Sequence, residues 1–276
     1  MNYNRQAVAE FARTARVEVA KVLNRTNDSH IGGGYSSMDI LAVLYQSILS
    51  VDKENLDDPN RDVMILSKGH IAASFYTVLA LSGILPMSSL DQHTVNGSVF
   101  AGHTRKYQTF GVAGVEMSAG SLGHGASVGA GMAYAKRLQG LAGNVYVLMG
   151  DGECNEGSVW EATMLAAKLQ LSNLVLIVDR NRLQSYGADK EVMDMGDLAD
   201  KFRSFGCDAV TIDGHDYDAI YRALSLATSR NPAKPKVIVA ETIKGKGASF
   251  MENRLEWHFK SPNDAQLQTI LEEQGQ

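Results

Sequence analysis

The segment "NVYVLMGDGECNEGSVW", residues 144–160, begins as an apolar run and then places Asp151 between Gly150 and Gly152. The run is unbroken rather than alternating, which is typical of a strand that is buried on both faces. Asp151 follows it directly and is therefore expected at the carboxyl end of a strand. Open α/β sheets bind their ligands at these ends, so the segment predicts a ligand site at Asp151.

Similar apolar runs recur along the chain, with helical stretches between them. The runs are residues 62–67, 144–150, 173–179, 208–214 and 236–243, and the helical stretches are 1–23, 37–49, 71–82, 122–141, 156–169 and 217–228. This alternation predicts an α/β fold with a mainly parallel sheet flanked by helices. We expect a single domain over 1–276, with a glycine-rich loop, "KGKG", at 244–247 and a last helix capped by one of residues 261–264.

Composition excludes several classes of protein. The 276 residues are 45% hydrophobic and 21% charged, as in ordinary globular proteins, and the net charge is −5 without a dense Lys/Arg run. We therefore expect no nucleic-acid partner. No apolar stretch reaches the length of a membrane span, and the N-terminus lacks the features of a signal peptide. Cys154 and Cys207 stand far apart, which favours a cytoplasmic protein without disulfides or zinc.

A second polar element follows the next apolar run, where Asp179 and Asn181 stand about thirty residues after Gly150. That spacing is one βαβ unit, which brings two neighbouring strand ends together. Carboxylate and carboxamide oxygens suit Mg²⁺ or Ca²⁺, and Mg²⁺ usually completes its coordination with phosphate and water. Glycines beside Asp151 would let a phosphate approach the backbone. Alone, Asp151 is more simply a helix N-cap and Asn181 a turn residue; together they favour a metal–diphosphate site.

A GDG triplet is followed about thirty residues later by an asparagine. This pattern resembles the signature of the thiamine-diphosphate enzymes. The surrounding text, "GDGECNEGSVWEATMLAAKLQLSNLVLIVDRNRLQ", closely resembles the transketolase family. The resemblance extends from "SHIGGGYSSMDIL" near the start to "KGKGASFMENRLEWH" near the end. It implies the thiamine-diphosphate-binding fold of the N-terminal domain of a transketolase.

The resemblance also implies a metal site and a cofactor site. Asp151 and Asn181 match side-chain ligands of Mg²⁺, for which Ca²⁺ or Mn²⁺ can substitute, and Leu183 matches a backbone carbonyl ligand. Gly152 matches an amide that touches the diphosphate, and Lys244 matches a cation at the phosphate end.

Two further segments complete the implied cofactor site. In "GSLGHG", residues 120–125, the family's loop packs on the cofactor's central rings, which implies cofactor contacts for Gly120, Ser121 and Leu122. Glu156 matches an acidic residue near the dimer interface and the cofactor's aminopyrimidine, with a catalytic role.

Four of the seven histidines stand in motifs that resemble the family's active site: His30 in "SHIGGG", His70 in "SKGH", His103 in "AGH" and His258 in "EWH". For any one histidine alone, a structural role is the simpler interpretation. The resemblance implies that His30, His103 and His258 contact the donor sugar and move protons. It places His70 and His258 near the diphosphate. Histidine suits these roles because it donates hydrogen bonds and transfers protons near neutral pH.

The sequence departs from the family at positions near the expected substrate. "GHT" at 102–104 replaces the usual GHP, and "HFK" at 258–260 replaces an HGK-like tripeptide, so the sugar is left open. His124 stands where glutamine is common, and His215 is expected at a helix start. No role is predicted for His93.

Full-length transketolases carry two further domains, and no apolar series remains here to build them. We therefore expect a split enzyme, completed by a second chain with the pyrimidine-binding domain in a heterotetramer of two of each. The implied reaction moves a two-carbon glycolaldehyde unit from a ketose phosphate to an aldose phosphate.

Other functions remain open at this point. A specialised catabolic transketolase for an unusual or branched sugar phosphate and a deoxyxylulose-phosphate-synthase-like enzyme use the same cofactor. The alternative of a nicotinamide dehydrogenase rests on "GHGASVGAG", residues 123–131, which nearly matches the dinucleotide fingerprint. The match lacks a clear strand just before it and an acidic residue on a strand end about twenty residues further on. A non-catalytic cofactor-binding protein is the last alternative.

Overall fold

The computed structural model describes residues 3–107, 110–229 and 234–275, and these residues form an α/β sandwich. The strands are β1 (Val63–Leu66), β2 (Val145–Gly150), β3 (Leu174–Arg180), β4 (Asp208–Asp213) and β5 (Lys236–Glu241). They pair in parallel in the order β1-β2-β3-β5-β4. The predicted strands and the parallel sheet are therefore confirmed, with ends that shift by one or two residues.

Helices cover both faces of this sheet. They are α1 (Arg5–Thr26), α2 (Ile31–Val43, continued by a π turn over Leu44–Ile48), α3 (Ala72–Leu81), α4 (His124–Leu138), α5 (Gly157–Lys168), α6 (Asp189–Met193), α7 (Leu198–Ser204), α8 (Tyr217–Ser229) and α9 (Asp264–Glu273). Alternate residues of each inner strand belong to two separate cores. One core packs under α1, α2, α3 and α8, and the other packs under α4, α5 and α7. Met1 and Asn2 of the first predicted helix lie outside the described residues.

The start of α2 differs from the sequence prediction. The helix begins at Ile31 rather than at residue 37, and it includes Gly32, Gly33 and Gly34. Glycine destabilises a helix, which is why the start of α2 was predicted later in the sequence. Packing overrides that preference, because a Cβ on Gly34 would lie 2.0 Å from Ser74 Oγ and one on Gly32 would lie 2.9 Å from the Trp257 carbonyl.

Helices α1 and α9 follow ordinary capping rules. Asn4 caps α1 through its side chain, and Asn27 ends that helix in the left-handed conformation. Asn263 caps α9 in a full capping box with Gln266, which selects one residue from the four predicted candidates. Within the described ranges, no helix is long and apolar enough to cross a membrane.

Candidate cofactor site at the carboxyl ends of the strands

A cavity of about 260 Å³ opens at the carboxyl ends of the central strands. Most of the sequence-predicted residues line it: His30, His70, His103, Gly120, Leu122, Asp151, Gly152, Asn181, Leu183, Lys244 and His258. Ser121 and Glu156 are exposed and do not line it. Gly150, which the sequence analysis placed beside a phosphate, also lines the cavity, and the residues that the prediction missed are Gly33, Lys68, Glu153, Gln184 and Ser185.

Asp151, Asn181 and Leu183 meet because β2 and β3 pair in parallel with Gly150 opposite Asp179. Asp151 Oδ1 accepts a hydrogen bond from the Gly152 amide at 2.8 Å, and its Oδ2 accepts one from the Arg182 amide at 2.6 Å. Asp151 thus caps the short turn Gly152–Asn155, as the simpler interpretation held, and it also borders the cavity.

The oxygen atoms at this edge fit a hard divalent cation. A carboxylate, a carboxamide and the Leu183 carbonyl border one cavity, which is a donor set that suits Mg²⁺ or Ca²⁺. Among the residues that the structure describes, no cluster of three or more His, Cys, Asp or Glu side chains is arranged for a metal. The protein alone therefore offers an incomplete shell, which diphosphate oxygens and water would complete.

The electrostatics of Asp151 also favour a bound cation. Burial and the nearby negative charge of Asp179 raise the pKa of Asp151 to about 6, although the Arg182 and Gly152 amides oppose the shift. A buried carboxylate beside a like charge is costly until a cation pairs with it. A cation beside Asp151 would offset this cost.

Asp179, 0% exposed, anchors the floor of the site through an ion pair with Lys68. Its carboxylate also accepts hydrogen bonds from the hydroxyls of Ser36, Ser37 and Thr242. Burial alone would raise the pKa of Asp179, but the Lys68 ammonium and these donors outweigh burial and hold the pKa below its usual range.

The Asp179 cluster also orients a predicted metal ligand. Asn181 Nδ2 lies 3.4 Å from Asp179 Oδ2 and 3.3 Å from Ser36 Oγ. This leaves Oδ1 on the side of Leu183, whose amide it accepts at 3.2 Å. Sequence reasoning noticed Asp179 at a strand end but missed Lys68, because the partners lie 111 residues apart.

The four predicted histidines form one wall of the cavity. His30 lies at the centre, with ring centroids 5.1 Å from His70, 5.3 Å from His258 and 6.3 Å from His103. His30 precedes α2, His70 lies on the turn Gly69–Ile71 and His258 ends the turn Leu255–His258. Three separate segments and the loop of His103 thus converge on one point.

Three of these histidines are uncharged at neutral pH. Burial, followed by His103, lowers the pKa of His30 to about 4, and burial, followed by Lys244, lowers that of His258 to about 3. Burial also holds the pKa of His70 well below its usual value. A neutral imidazole can accept a proton from a hydroxyl as well as donate a hydrogen bond.

Lys244 joins the histidines to the predicted metal site. Its Nζ donates a hydrogen bond to the Leu183 carbonyl at 2.9 Å and lies 2.8 Å from His258 Nδ1. Burial and the Lys68 charge lower the pKa of Lys244 to about 8, so a cation still predominates at neutral pH. It stands where it can meet a phosphate.

His215 lies two residues before α8, near the predicted helix start, and it also supports the Lys244 loop. Its Nε2 accepts a hydrogen bond from the Ile243 amide at 2.8 Å, and its Nδ1 donates to Asp39 at 2.7 Å. Buried Arg16 holds the same carboxylate at 2.8 Å. This network therefore fixes the backbone just before Lys244.

The glycine-rich loop before α4 is held by Glu153, a residue that the sequence analysis did not single out. Buried Glu153 accepts hydrogen bonds from the Gly123 amide at 2.8 Å, from the Gly150 amide at 3.2 Å and from the Ser67 hydroxyl. α4 follows a loop and not a strand, so the dinucleotide alternative lacks its required context. Exposed His124 begins that helix.

Thr104 and Phe259, the two positions that depart from the family's pattern, lie in different environments. Phe259 is 62% exposed, and its ring centroid lies 4.6 Å from His258 and 6.0 Å from His30. Thr104 is 2% exposed, and its hydroxyl donates to the Met117 carbonyl at 3.4 Å. Phe259 is thus the departure that borders the histidine wall.

We expect acid to destabilise the folded chain through these histidines. In the unfolded chain a histidine has a pKa near 6.5, but folded His30 and His258 titrate at about 4 and about 3. Between these pH values the unfolded chain binds more protons, so the free energy of unfolding falls as the pH falls through that interval. Urea denaturation at about pH 7 and about pH 5 measures this loss.

The double variant His30→Gln/His258→Gln should lose less free energy of unfolding over the same pH interval. His124→Gln is the matched control, because His124 is exposed. An identical pH dependence in the wild type and the double variant would contradict the assignment of neutral, buried histidines.

Known proteins are similar to this chain in sequence and in fold. Residues 7–275 match the family described as "Transketolase, thiamine diphosphate binding domain". One subunit of the apulose-4-phosphate transketolase of Actinobacillus succinogenes is 39% identical over 254 residues, which is 91% of this chain and 90% of that protein. A 6-deoxy-6-sulfo-D-fructose transketolase subunit from Clostridium sp. (strain MSTE9) is 38% identical, over 90% of this chain and 88% of its own length.

Solved structures agree with these relatives. The crystal structure of transketolase from Campylobacter jejuni superposes with a TM-score of 0.91 at 30% identity, over 99% of this chain and 43% of that protein. From the match over nearly its whole length, the chain belongs to the transketolase family and corresponds to the N-terminal, thiamine diphosphate binding part of these enzymes.

Proposed function

We propose that this chain is the cofactor-holding subunit of a two-chain transketolase, which moves a glycolaldehyde unit from a ketose phosphate to an aldose phosphate. The observation that carries this proposal is the single cavity in which Asp151, Asn181 and Leu183 face a wall of four histidines. A metal-diphosphate anchor and a proton-transfer surface thus lie side by side, as carbon–carbon transfer on this cofactor requires.

Bound thiamine diphosphate would supply the nucleophilic carbon and the electron sink of the reaction. In this proposal Asp151, Asn181 and the Leu183 carbonyl hold Mg²⁺. The Gly152 amide, His70 and Lys244 hold the diphosphate. The cavity wall excludes water from the reacting groups.

The histidine wall would act on the sugar. Neutral His30 can accept a hydroxyl proton as the carbon–carbon bond breaks and return it when the new bond forms, while neutral His258 and the more exposed His103 would hydrogen-bond to the sugar beside it. Their rings are close enough that one donor sugar would contact all three. A sugar fixed in this way reacts in one orientation only.

A second chain with the pyrimidine-binding domain would complete the site, in an assembly of two of each. The names of the relatives, which are subunits, support this proposal. Ser121 and Glu156 are exposed beside the cavity, which suits contact with a cofactor ring and a partner on that side. Cys154 and Cys207 are buried free thiols, which agrees with a reducing cytoplasm.

An unusual sugar phosphate is the second candidate for the substrate. Two relatives are named for apulose 4-phosphate and for 6-deoxy-6-sulfo-D-fructose, and the exposed Phe259 ring borders the sugar-facing histidines here. An aromatic ring at this place would select the part of the sugar beyond the reacting hydroxyls.

The test is a two-carbon transfer assay with a panel of ketose phosphate donors, on this chain alone and with its partner chain. We expect transfer only with both chains, thiamine diphosphate and Mg²⁺ present. Robust transfer by the single chain would overturn the two-chain proposal. Cofactor binding without transfer from any donor would favour a non-catalytic role.

A further inference from the structure

A pair formed by buried His93 and half-buried Asp28 lies outside the residues given roles so far. Asp28 stands two residues before His30, in the connection between α1 and α2. Its Oδ2 lies 2.8 Å from Nε2 of His93, which follows the turn Met87–Gln92 and is 1% exposed. The interaction with His93 is the main reason that the pKa of Asp28 is lowered, so its carboxylate is charged at neutral pH.

The Asp28 carboxylate reaches two segments that carry site histidines. Its Oδ1 accepts the Ser29 amide at 2.8 Å, and the Ser29 hydroxyl lies 2.8 Å from His30 Nδ1. A Cβ on Gly102 would lie 3.1 Å from Asp28 Oδ2, so the carboxylate packs against the backbone next to His103. One side chain thus contacts the residues that precede both His30 and His103.

His30 needs such support because its backbone is strained. Its φ is +72°, in the left-handed region that residues with a side chain rarely adopt. No side chain caps the helix that His30 precedes. Strain of this kind persists only where the surroundings impose it, and it concentrates at functional residues.

The two ring nitrogens of His93 differ in their hydrogen bonding. Within residues 3–107, 110–229 and 234–275, buried Nδ1 of His93 has no hydrogen-bond partner. An unsatisfied buried polar atom is costly, and an apolar side chain of similar size would avoid that cost. Its Nε2 contact with Asp28 is the interaction that offsets this cost.

We propose that Asp28 and His93 are a positioning pair that holds His30 in its left-handed conformation and sets its imidazole against His103. The inference rests on the proposed function, since it concerns His30 as a proton-transfer group. It adds two residues that touch neither substrate nor cofactor and act through His30.

The test compares His93→Leu, which removes the contact, with His93→Gln, whose amide nitrogen can still donate to Asp28. Because Asp28 has a side chain 26% exposed, water can solvate its carboxylate in the leucine variant and the chain should fold. With the partner chain, we expect kcat to fall about 10- to 100-fold in His93→Leu, as for small misplacements of catalytic groups. KM and the Kd of thiamine diphosphate should change little, and glutamine should restore most of kcat.

Leu224→Ala, a cavity variant at a buried core position of α8, is the control for lost stability. Equal losses of kcat in Leu224→Ala and His93→Leu would overturn the inference, as would failure of glutamine to rescue. A second measurement needs no activity: the imidazole NMR signal of His30 in the single chain. It should move in His93→Leu and Asp28→Asn but not in Leu224→Ala. An unmoved signal overturns the positioning pair, whereas a moved signal without transfer activity overturns only the proposed function.

Discussion

Asp151→Asn is expected to abolish measurable binding of thiamine diphosphate with Mg²⁺ to the assembled enzyme. Asp151 supplies the one negative charge among the three proposed metal ligands, and the substitution removes it with little change of shape. Even indirect changes behind a metal ligand cost about 10- to 100-fold in affinity, so loss of the charged ligand should cost more than about 100-fold.

The same variant should be at least as stable as the wild type in metal-free buffer. Burial and the Asp179 charge raise the pKa of Asp151 to about 6, which means that the ionised form is costly in the folded chain. The neutral side chain of the asparagine removes that cost. Its amide nitrogen cannot accept a hydrogen bond, so one of the two backbone amides that donate to Asp151 loses its acceptor. We expect a net gain on the order of 1 kcal/mol in the free energy of unfolding.

Calorimetric titration and urea denaturation give the two measurements. Asp200→Asn is the matched control, since Asp200 is an exposed carboxylate on α7. Binding of the cofactor by Asp151→Asn with wild-type affinity would remove the metal site from the proposal. A variant that is clearly less stable would show instead that Asp151 is chiefly a cap.

Lys68→Met should give the largest loss of stability. Lys68 is 2% exposed, and its ammonium pairs with Asp179, whose side chain is fully buried. Removing one partner of such a pair strands the other charge in a low-dielectric interior, at a cost of about 3–5 kcal/mol. The hydroxyls of Ser36, Ser37 and Thr242 remain, which keeps the cost within that range rather than above it.

The double variant Lys68→Met/Asp179→Asn separates the pair from its surroundings. Removing both charges should recover a large part of the loss, because no unpaired charge is then left inside. Lys190→Met on the exposed side of α6 is the control and should change the free energy of unfolding by less than about 0.5 kcal/mol. If the double variant is as unstable as Lys68→Met, stranded charge is not the cause.

Much of the fold follows from local pattern. Apolar runs marked the strands of the described sheet within one or two residues; those of β1, β2, β3 and β5 are unbroken because these strands are buried on both faces, whereas edge strand β4 is partly exposed. The spacing from Gly150 to Asn181 placed two strand ends side by side, since a βαβ unit of that length has little freedom. The start of α2 was missed because glycines that are poor in an isolated helix are required where α2 meets Ser74 and Trp257.

The sequence by itself therefore determined the order of elements and the edge of the sheet where the candidate site lies. Tertiary structure alone decided which charged groups share that edge. The pairs Lys68–Asp179 and His93–Asp28 join residues 111 and 65 positions apart, and no local pattern encodes such distances. Burial also sets the charge of each group, so the neutral state of His30 and the raised pKa of Asp151 depend on packing that exists only in the folded chain.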